Sequence, residues 1–212
     1  MSSYVALVPV KSPAVGKSRL VGLDDDARRA LAAAFALDTV AACLASASVA
    51  HVLVATDDAA FSRELTALGA VTIPDGVAMD LNGTLRQSAA EARRRWPALV
   101  PVALTADLPS LRPEDLDAAL GPVTPGEPAY VPDLEGVGTT LYTAGYDDFD
   151  PHFGPGSERA HAATGARRLD GSACLRRDVD TLGDLDEAMA LGVGPRTAER
   201  AASLVGDGPS PG

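Results

Sequence analysis

Short apolar runs alternate along this chain with longer stretches in which apolar residues recur at helical spacing. Tyr4 to Val10 is such a run, closed by Pro9-Val10-Lys11. A polar, glycine-containing loop follows, and then Asp24 to Ala45, where strong helix formers stand behind an acidic first turn. His51 to Thr56 predicts a second strand, Ala59 to Leu68 a second helix closed by Gly69, and Val71 to Ile73 a short third strand. Leu81 to Arg95 predicts a helix, Leu99 to Thr105 a fourth strand, and Pro113 to Leu120 a helix with proline in its first turn. Alternation at this spacing implies an α/β fold in three layers, a mostly parallel sheet flanked by helices on both faces.

Past Gly121 the rhythm breaks. Pro122, Pro125, Pro128 and Pro132 punctuate the chain before Gly136 to Tyr142, which predicts an inserted or antiparallel portion that completes the site. Arg176 to Thr181 predicts a last strand end and Asp184 to Leu191 a helix. The stretch from Gly206 to Gly212 offers nothing to bury, so residues 205–212 read as a disordered tail and 1–204 as one domain.

A length of 212 residues suits one domain with a sizeable core. With 46% hydrophobic residues but no unbroken apolar stretch of spanning length and no signal-peptide pattern near the start, no membrane partner and a cytoplasmic location are expected. Cys43 and Cys174 lack metal-ligand spacing and are expected to be reduced and structural. The net charge of −11 argues against a nucleic-acid partner that would require a basic face. A nucleotide enzyme remains open, because a few placed cations and divalent ions handle phosphates locally. The chain has two lysines, Lys11 and Lys17, and both fall in the first loop.

The candidate chemistry begins at Val102-Ala103-Leu104-Thr105-Ala106-Asp107-Leu108-Pro109, an apolar run that ends on a carboxylate and is stopped by proline. Ligands of alternating β/α chains sit outside the carboxyl ends of parallel strands, so Asp107 lies where a metal-bound phosphate would be held. The alternative is that Asp107 caps the helix after Pro113. The loop Lys11 to Leu20 brings Lys11, Lys17 and Arg19 to a neighbouring strand tip. Its Gly16-Lys17-Ser18 is not a P-loop, because the required first glycine would fall on Lys11. Asp107 with Asp178 or Asp180 forms a second constellation, and carboxylates converging from separate segments repel unless a cation such as Mg2+ joins them. Asp178 is favoured and Asp180 kept in reserve, since Asp-Val-Asp points its side chains to opposite faces and Asp180 can instead cap the final helix. Phe153 to His161 is a glycine-flanked turn opening into a helix, with Ser157 at its expected N-cap, where amides and a hydroxyl suit an anion. His161 reads equally as a helix-surface residue or a ligand and is given no catalytic role.

Val8-Pro9-Val10-Lys11, Gly16 to Leu20, Ala106-Asp107-Leu108-Pro109, Gly138-Thr139, Phe153-Gly154-Pro155 and Asp178-Val179-Asp180 together resemble the phosphoenolpyruvate or 2-phospho-L-lactate guanylyltransferases of coenzyme F420 biosynthesis. The resemblance runs from about residue 4 to about residue 204. It implies a nucleotide-diphospho-sugar-transferase-like, Rossmann-like fold, and a nucleotidyltransferase that uses GTP and Mg2+ to cap a small phosphorylated three-carbon acid, releasing pyrophosphate. It further implies metal binding by Asp107 and Asp178, with Lys17 beside them in catalysis, and acid binding by Thr139, Gly154 and Ser157. Lys11, Lys17, Arg19 and Asn82 would bind the nucleotide. The chain departs from the family pattern at Gly156, where an acidic residue is expected. Heavy use of Ala, Gly and Pro, and of Arg over Lys, fits a GC-rich genome and favours phosphoenolpyruvate over 2-phospho-L-lactate and 3-phospho-D-glycerate as the acid. A homodimer is left open. The rival readings are a related nucleotidyltransferase acting on a sugar phosphate or a molybdenum cofactor and, from Leu191-Gly192-Val193-Gly194-Pro195-Arg196, a helix-hairpin-helix DNA-binding module.

Overall fold

The computed structural model describes residues 3–10, 20, 22–76 and 80–206. The alternation read from the sequence is realised as β1 (Tyr4–Pro9), α1 (Asp25–Ala45), β2 (Val49–Ala55), α2 (Ala59–Leu68), β3 (Val71–Ile73), α3 (Leu81–Arg95), β4 (Val100–Leu104) and α4 (Pro113–Leu120). Short polar side chains start the first three of these helices: Asp24 accepts the Ala27 amide at 2.7 Å, Asp58 the amides of Ala60 and Phe61, and Asp80 that of Gly83. Gly69 ends α2 in the left-handed conformation, with φ at 108°.

Among the described residues the sheet has seven strands in the order β3-β2-β1-β4-β6-β5-β7, where β5 is Ala129–Pro132, β6 Thr139–Thr143 and β7 Arg167–Arg168. The first four strands run parallel. The expected antiparallel portion is β6, which opposes β4 on one side and β5 on the other. Central strands of such a sheet are apolar on both faces, because helices cover each. Thus Ala6 and Val8 of β1 pack with Val40 of α1, Phe61 and Leu65 of α2 and Leu116 of α4, while Val5 and Leu7 pack with Leu85 and Ala89 of α3.

The remaining helices are α5 (Ser157–Ala163), α6 (Ala173–Arg176), α7 (Leu182–Leu191) and α8 (Pro195–Gly206). The strand end expected over Arg176 to Thr181 is absent: α6 ends at Arg176 and residues 177–180 are irregular. Instead of pairing with a strand, this segment bonds through the Val179 amide to the Asp107 carbonyl at 3.1 Å, beyond the end of β4. The helix expected from Asp184 begins at Leu182, with Thr181 as N-cap in a reciprocal capping box with Asp184, so Asp180 is not the cap. Helix α8 runs on to Gly206, beyond the expected start of the tail, and residues 207–212 lie outside those described. Cys43 and Cys174 are buried free thiols, and burial pushes the Cys43 pKa up to about 12. No described helix is long and apolar enough to cross a membrane.

Helix α8 is held by a long-range cap. Asp38, in the middle of α1 and 5% exposed, accepts the Thr197 amide at 2.8 Å and the Arg196 amide at 3.3 Å. Gly194 is required beside it, since a Cβ there would collide with the Asp38 carboxylate. Removing the acceptor strands buried amides at a helix N-terminus, so Asp38→Ala is expected to lose about 2 kcal/mol in urea unfolding, with Asp38→Asn losing less because one acceptor oxygen remains. An alanine variant within about 0.5 kcal/mol of the parent would contradict this role.

Candidate active site

In a parallel sheet, ligand crevices form at the carboxyl edge where neighbouring strands send their connections to opposite sides. Here that point lies between β1, whose chain continues to α1 and β2, and β4, whose chain continues toward β5 and β6. Asp107 follows β4 at this edge. It does not cap α4, whose N-cap is Arg112. Because β6 is antiparallel to β4, with Leu104 opposite Leu141 and the Thr105 amide on the Thr140 carbonyl at 3.1 Å, β6 starts where β4 ends, and Thr139 lies beside the same edge. Lys11, Lys17 and Arg19, expected in the loop after β1, lie outside the described residues.

The Val179–Asp107 main-chain bond brings Asp178 and Asp180 to this edge. A second staple comes from Arg176, whose guanidinium donates to the Pro132 carbonyl at 3.1 Å and the Asp133 carbonyl at 2.8 Å, while the Leu134 amide returns a bond to the Arg176 carbonyl. As a result, carboxylate oxygens of Asp133, Glu135 and Asp178 all lie within 4.8 Å of one another. Charges this close repel by about 3 kcal/mol per pair at an effective dielectric near 20. Part of that is offset within the chain. Asp133 accepts the Val137 and Gly138 amides at 2.8 and 2.6 Å, and Glu135 pairs at 2.6 Å with Arg177. Arg177 is itself buried and also reaches Asp184 and Glu187. An all-oxygen set of carboxylates is what hard divalent cations take, so Asp133, Glu135 and Asp178 could hold one. Asp133 and Glu135 escaped the sequence reading because they sit in a proline-punctuated stretch without a strand-tip signature. The signal available was Asp133-Leu134-Glu135 directly before the Gly136 turn.

Beyond Thr139, the turn 152–157 carries the other expected acid-binding residues. Gly154, with φ at 130°, adopts a conformation that side chains disfavour. Ser157 is not the N-cap of α5. Gly156 is, with φ at 73°, and glycine there is suited to that left-handed geometry. The Ser157 amide is bound to the Gly154 carbonyl at 3.1 Å within the turn, and the Glu158 amide to the Val137 carbonyl at 3.2 Å, which ties the start of α5 to the connection between β5 and β6. Asn82, at the start of α3, clamps Phe153: its amide nitrogen donates to the Phe153 carbonyl at 2.9 Å and its oxygen accepts the Phe153 amide at 2.8 Å.

His161, expected on a helix surface or as a ligand, is fully buried. Its ring stacks on Tyr142 at 4.6 Å and Tyr130 at 5.8 Å, with Phe153 and His152 edge-on. Nδ1 lies 3.0 Å from the Thr139 hydroxyl, and Nε2 accepts the His152 amide at 3.0 Å. Burial, with the nearby His152, pulls its pKa down to about 4 against the smaller opposing effects of a Ser157 main-chain hydrogen bond and Asp150. In the glycine-rich turn before α8, the amides are engaged within the chain: Gly194 donates to the Pro109 carbonyl and Arg196 and Thr197 to Asp38. That is the arrangement of a packed helix start, and those amides are not turned to a DNA backbone.

No family model matches the chain. Among curated relatives, a protein of Thermomonospora curvata is 48% identical over 205 residues, covering 95% of this chain and 90% of the relative. One of Streptomyces coelicolor is 49% identical over 206 residues, covering 95% and 97%. Both are named phosphoenolpyruvate guanylyltransferase. Among solved structures, a Desulfovibrio desulfuricans protein assigned to the nucleotide-diphospho-sugar transferases superposes with a TM-score of 0.70 at 18% identity, over 97% of this chain and 96% of that one. Rv0371c of Mycobacterium tuberculosis, in complex with manganese, superposes with a TM-score of 0.53 at 19% identity, over 89% and 98%. These likenesses show a nucleotide-diphospho-sugar-transferase-like fold.

The depressed pKa of His161 has a consequence for stability. The unfolded chain binds a proton at this residue below about pH 6.5, whereas the folded chain holds it neutral down to about 4. The contribution is therefore complete above about 6.5 and is lost as the pH falls through that window. Urea midpoints are expected to drop between neutral pH and about 4, by up to a few kcal/mol in stability, and less steeply in His161→Gln. Parallel pH dependence in parent and variant would remove His161 as the cause.

Proposed function

From membership of the phosphoenolpyruvate guanylyltransferase family, to which this chain belongs as an enzyme of the nucleotidyltransferase type, we propose that it transfers GMP from GTP to phosphoenolpyruvate with release of pyrophosphate, a step of coenzyme F420 biosynthesis. The observation that carries this reading is the juxtaposition at one sheet edge of the Asp107 and Asp178 segments, joined through the Val179 amide, with Thr139 and the Gly154–Ser157 turn. Residues 1–204 would act as one domain, in the cytoplasm.

An oxygen of the acid's phosphate attacks the α-phosphorus of GTP. The new P–O bond forms as the bond from the α-phosphorus to the bridging oxygen breaks, and the electron pair leaves on pyrophosphate. The attacking phosphate is already ionised near neutral pH, so the reaction needs charge cancellation and alignment more than a base. Asp107 and Asp178 are the proposed metal ligands, with Asp133 and Glu135 as further oxygen donors beside Asp178. A divalent cation, proposed to be Mg2+, would supply charge neutralisation between the two polyanions. The manganese complex of a similarly folded protein supports a divalent ion of this class. Thr139, Gly154 and Ser157 are assigned to the acid, and the Asn82 clamp on Phe153 keeps their turn in place. Lys11, Lys17 and Arg19 are assigned to the nucleotide phosphates, with Lys17 opposing charge on the leaving pyrophosphate, and Asn82 to the nucleoside.

Pyrophosphate release should be measured with Mg2+ and GTP against phosphoenolpyruvate, 2-phospho-L-lactate and 3-phospho-D-glycerate, with ATP and CTP as controls. GTP-dependent release with phosphoenolpyruvate is expected. Silence with all three acids would overturn the assignment and redirect it to sugar phosphates or a molybdenum cofactor. Asp107→Asn is expected to keep its unfolding midpoint and lose turnover by about 100-fold or more. A near-parental rate would remove Asp107 from the site.

A further inference from the structure

We propose that His161 is a positioning residue of the acid site: its ring, held in a single tautomer, occupies a lone pair of the Thr139 hydroxyl and so directs that hydroxyl's proton to the substrate as a hydrogen-bond donor. The inference rests on the assignment of Thr139 to the phosphorylated acid. A neutral imidazole carries one N–H and one lone pair. The His152 amide, 3.0 Å from Nε2, can only donate, so Nε2 must be the bare nitrogen and Nδ1 must carry the proton. Nδ1, 3.0 Å from Thr139 Oγ1, is therefore the donor in that contact and the hydroxyl the acceptor. With the opposite tautomer the ring would consume the Thr139 proton, and the hydroxyl would turn only lone pairs toward an anion.

The setting enforces this choice. His161 is fully buried among Tyr130, Tyr142 and Phe153, where exchanging tautomers would leave the His152 amide facing another N–H without water to replace the lost bond. The depressed pKa keeps the ring neutral through the working range of pH. One side chain thus connects the three elements assigned to the acid: Thr139 at the start of β6, the 152–156 turn through the His152 amide and Phe153, and Ser157 one helical turn earlier on α5. With the Ser157 amide engaged by the Gly154 carbonyl and the Glu158 amide by the Val137 carbonyl, a correctly aimed Thr139 hydroxyl matters more for holding a phosphate or carboxylate oxygen.

Two substitutions separate donor from filler. The carboxamide nitrogen of asparagine falls near the place of Nδ1, so His161→Asn keeps a donor to Thr139. The longer glutamine reaches toward Nε2, so His161→Gln keeps a partner for the His152 amide and loses that donor. His161→Gln is expected to raise KM for the acid about tenfold with KM for GTP unchanged within about twofold, and His161→Asn to recover most of the loss. Thr139→Val is expected to raise the same KM, and adding His161→Gln to it should cost nothing further. Equal defects in the Asn and Gln variants, a matched rise in both KM values, or additive effects with Thr139→Val would overturn the proposal. If Thr139→Val leaves the acid KM unchanged, the assignment of Thr139 to the acid fails. The tautomer is tested apart from turnover by nitrogen-15 NMR of histidine-labelled protein, which should show His161 protonated at Nδ1 and bare at Nε2. The reverse pattern would overturn the inference whatever the enzyme's substrate.

Discussion

Because β6 runs antiparallel to β4, the start of one strand and the end of the other share an edge, and everything proposed for this site depends on that reversal. Were β6 parallel to β4, as the first four strands are to one another, Thr139 would begin at the opposite edge, a strand length from Asp107. The reversal also carries β5 outward with its end next to Thr139, so the connection containing Asp133 and Glu135 returns to the same place. The helices that bury both faces of β1 and β4 leave polar chemistry only the strand ends, and the chain leaves these two parallel strands in opposite directions along the sheet there.

Concentrating carboxylates at that edge carries an electrostatic cost, which the fold offsets with cations from a single short segment. Arg176 uses its guanidinium to hold the main chain of Pro132 and Asp133, whereas the adjacent Arg177 gathers Glu135, Asp184 and Glu187 around a buried charge. The chain is acidic as a whole, yet the site is not a uniform field of negative charge. Its carboxylates are placed by amides and guanidinium groups, and a cation would complete a set already assembled in the protein. The turn from His152 to Ser157, proposed to hold the acid, follows the same logic with neutral groups. Asn82 bonds both the main-chain N–H and the carbonyl of Phe153, and His161 bonds the His152 amide and the Thr139 hydroxyl. Rearranging either set would leave main-chain groups of the turn without these partners.

What the sequence determined by itself is the set of features encoded in neighbouring residues. Strand and helix periodicity, the helix starts near Asp24, Ala59 and Leu81, the Gly69 stop and the apolar run that leads to Asp107 are all local, and the structure reproduces them. The order of the family's motifs along the chain likewise marks the kind of enzyme without reference to any long-range contact. The tertiary structure alone decided that residues 177–180 form no strand, that Glu135 and Asp133 join Asp178, and that His161 is buried rather than exposed. Each depends on partners distant in the chain: Asp107 for Val179, Pro132 and Asp133 for Arg176, and Thr139, Tyr130 and Tyr142 for His161. A side chain's spacing along an element fixes the face it occupies, but the atoms it meets there belong to other elements, and only the packed sheet brings them within hydrogen-bond distance.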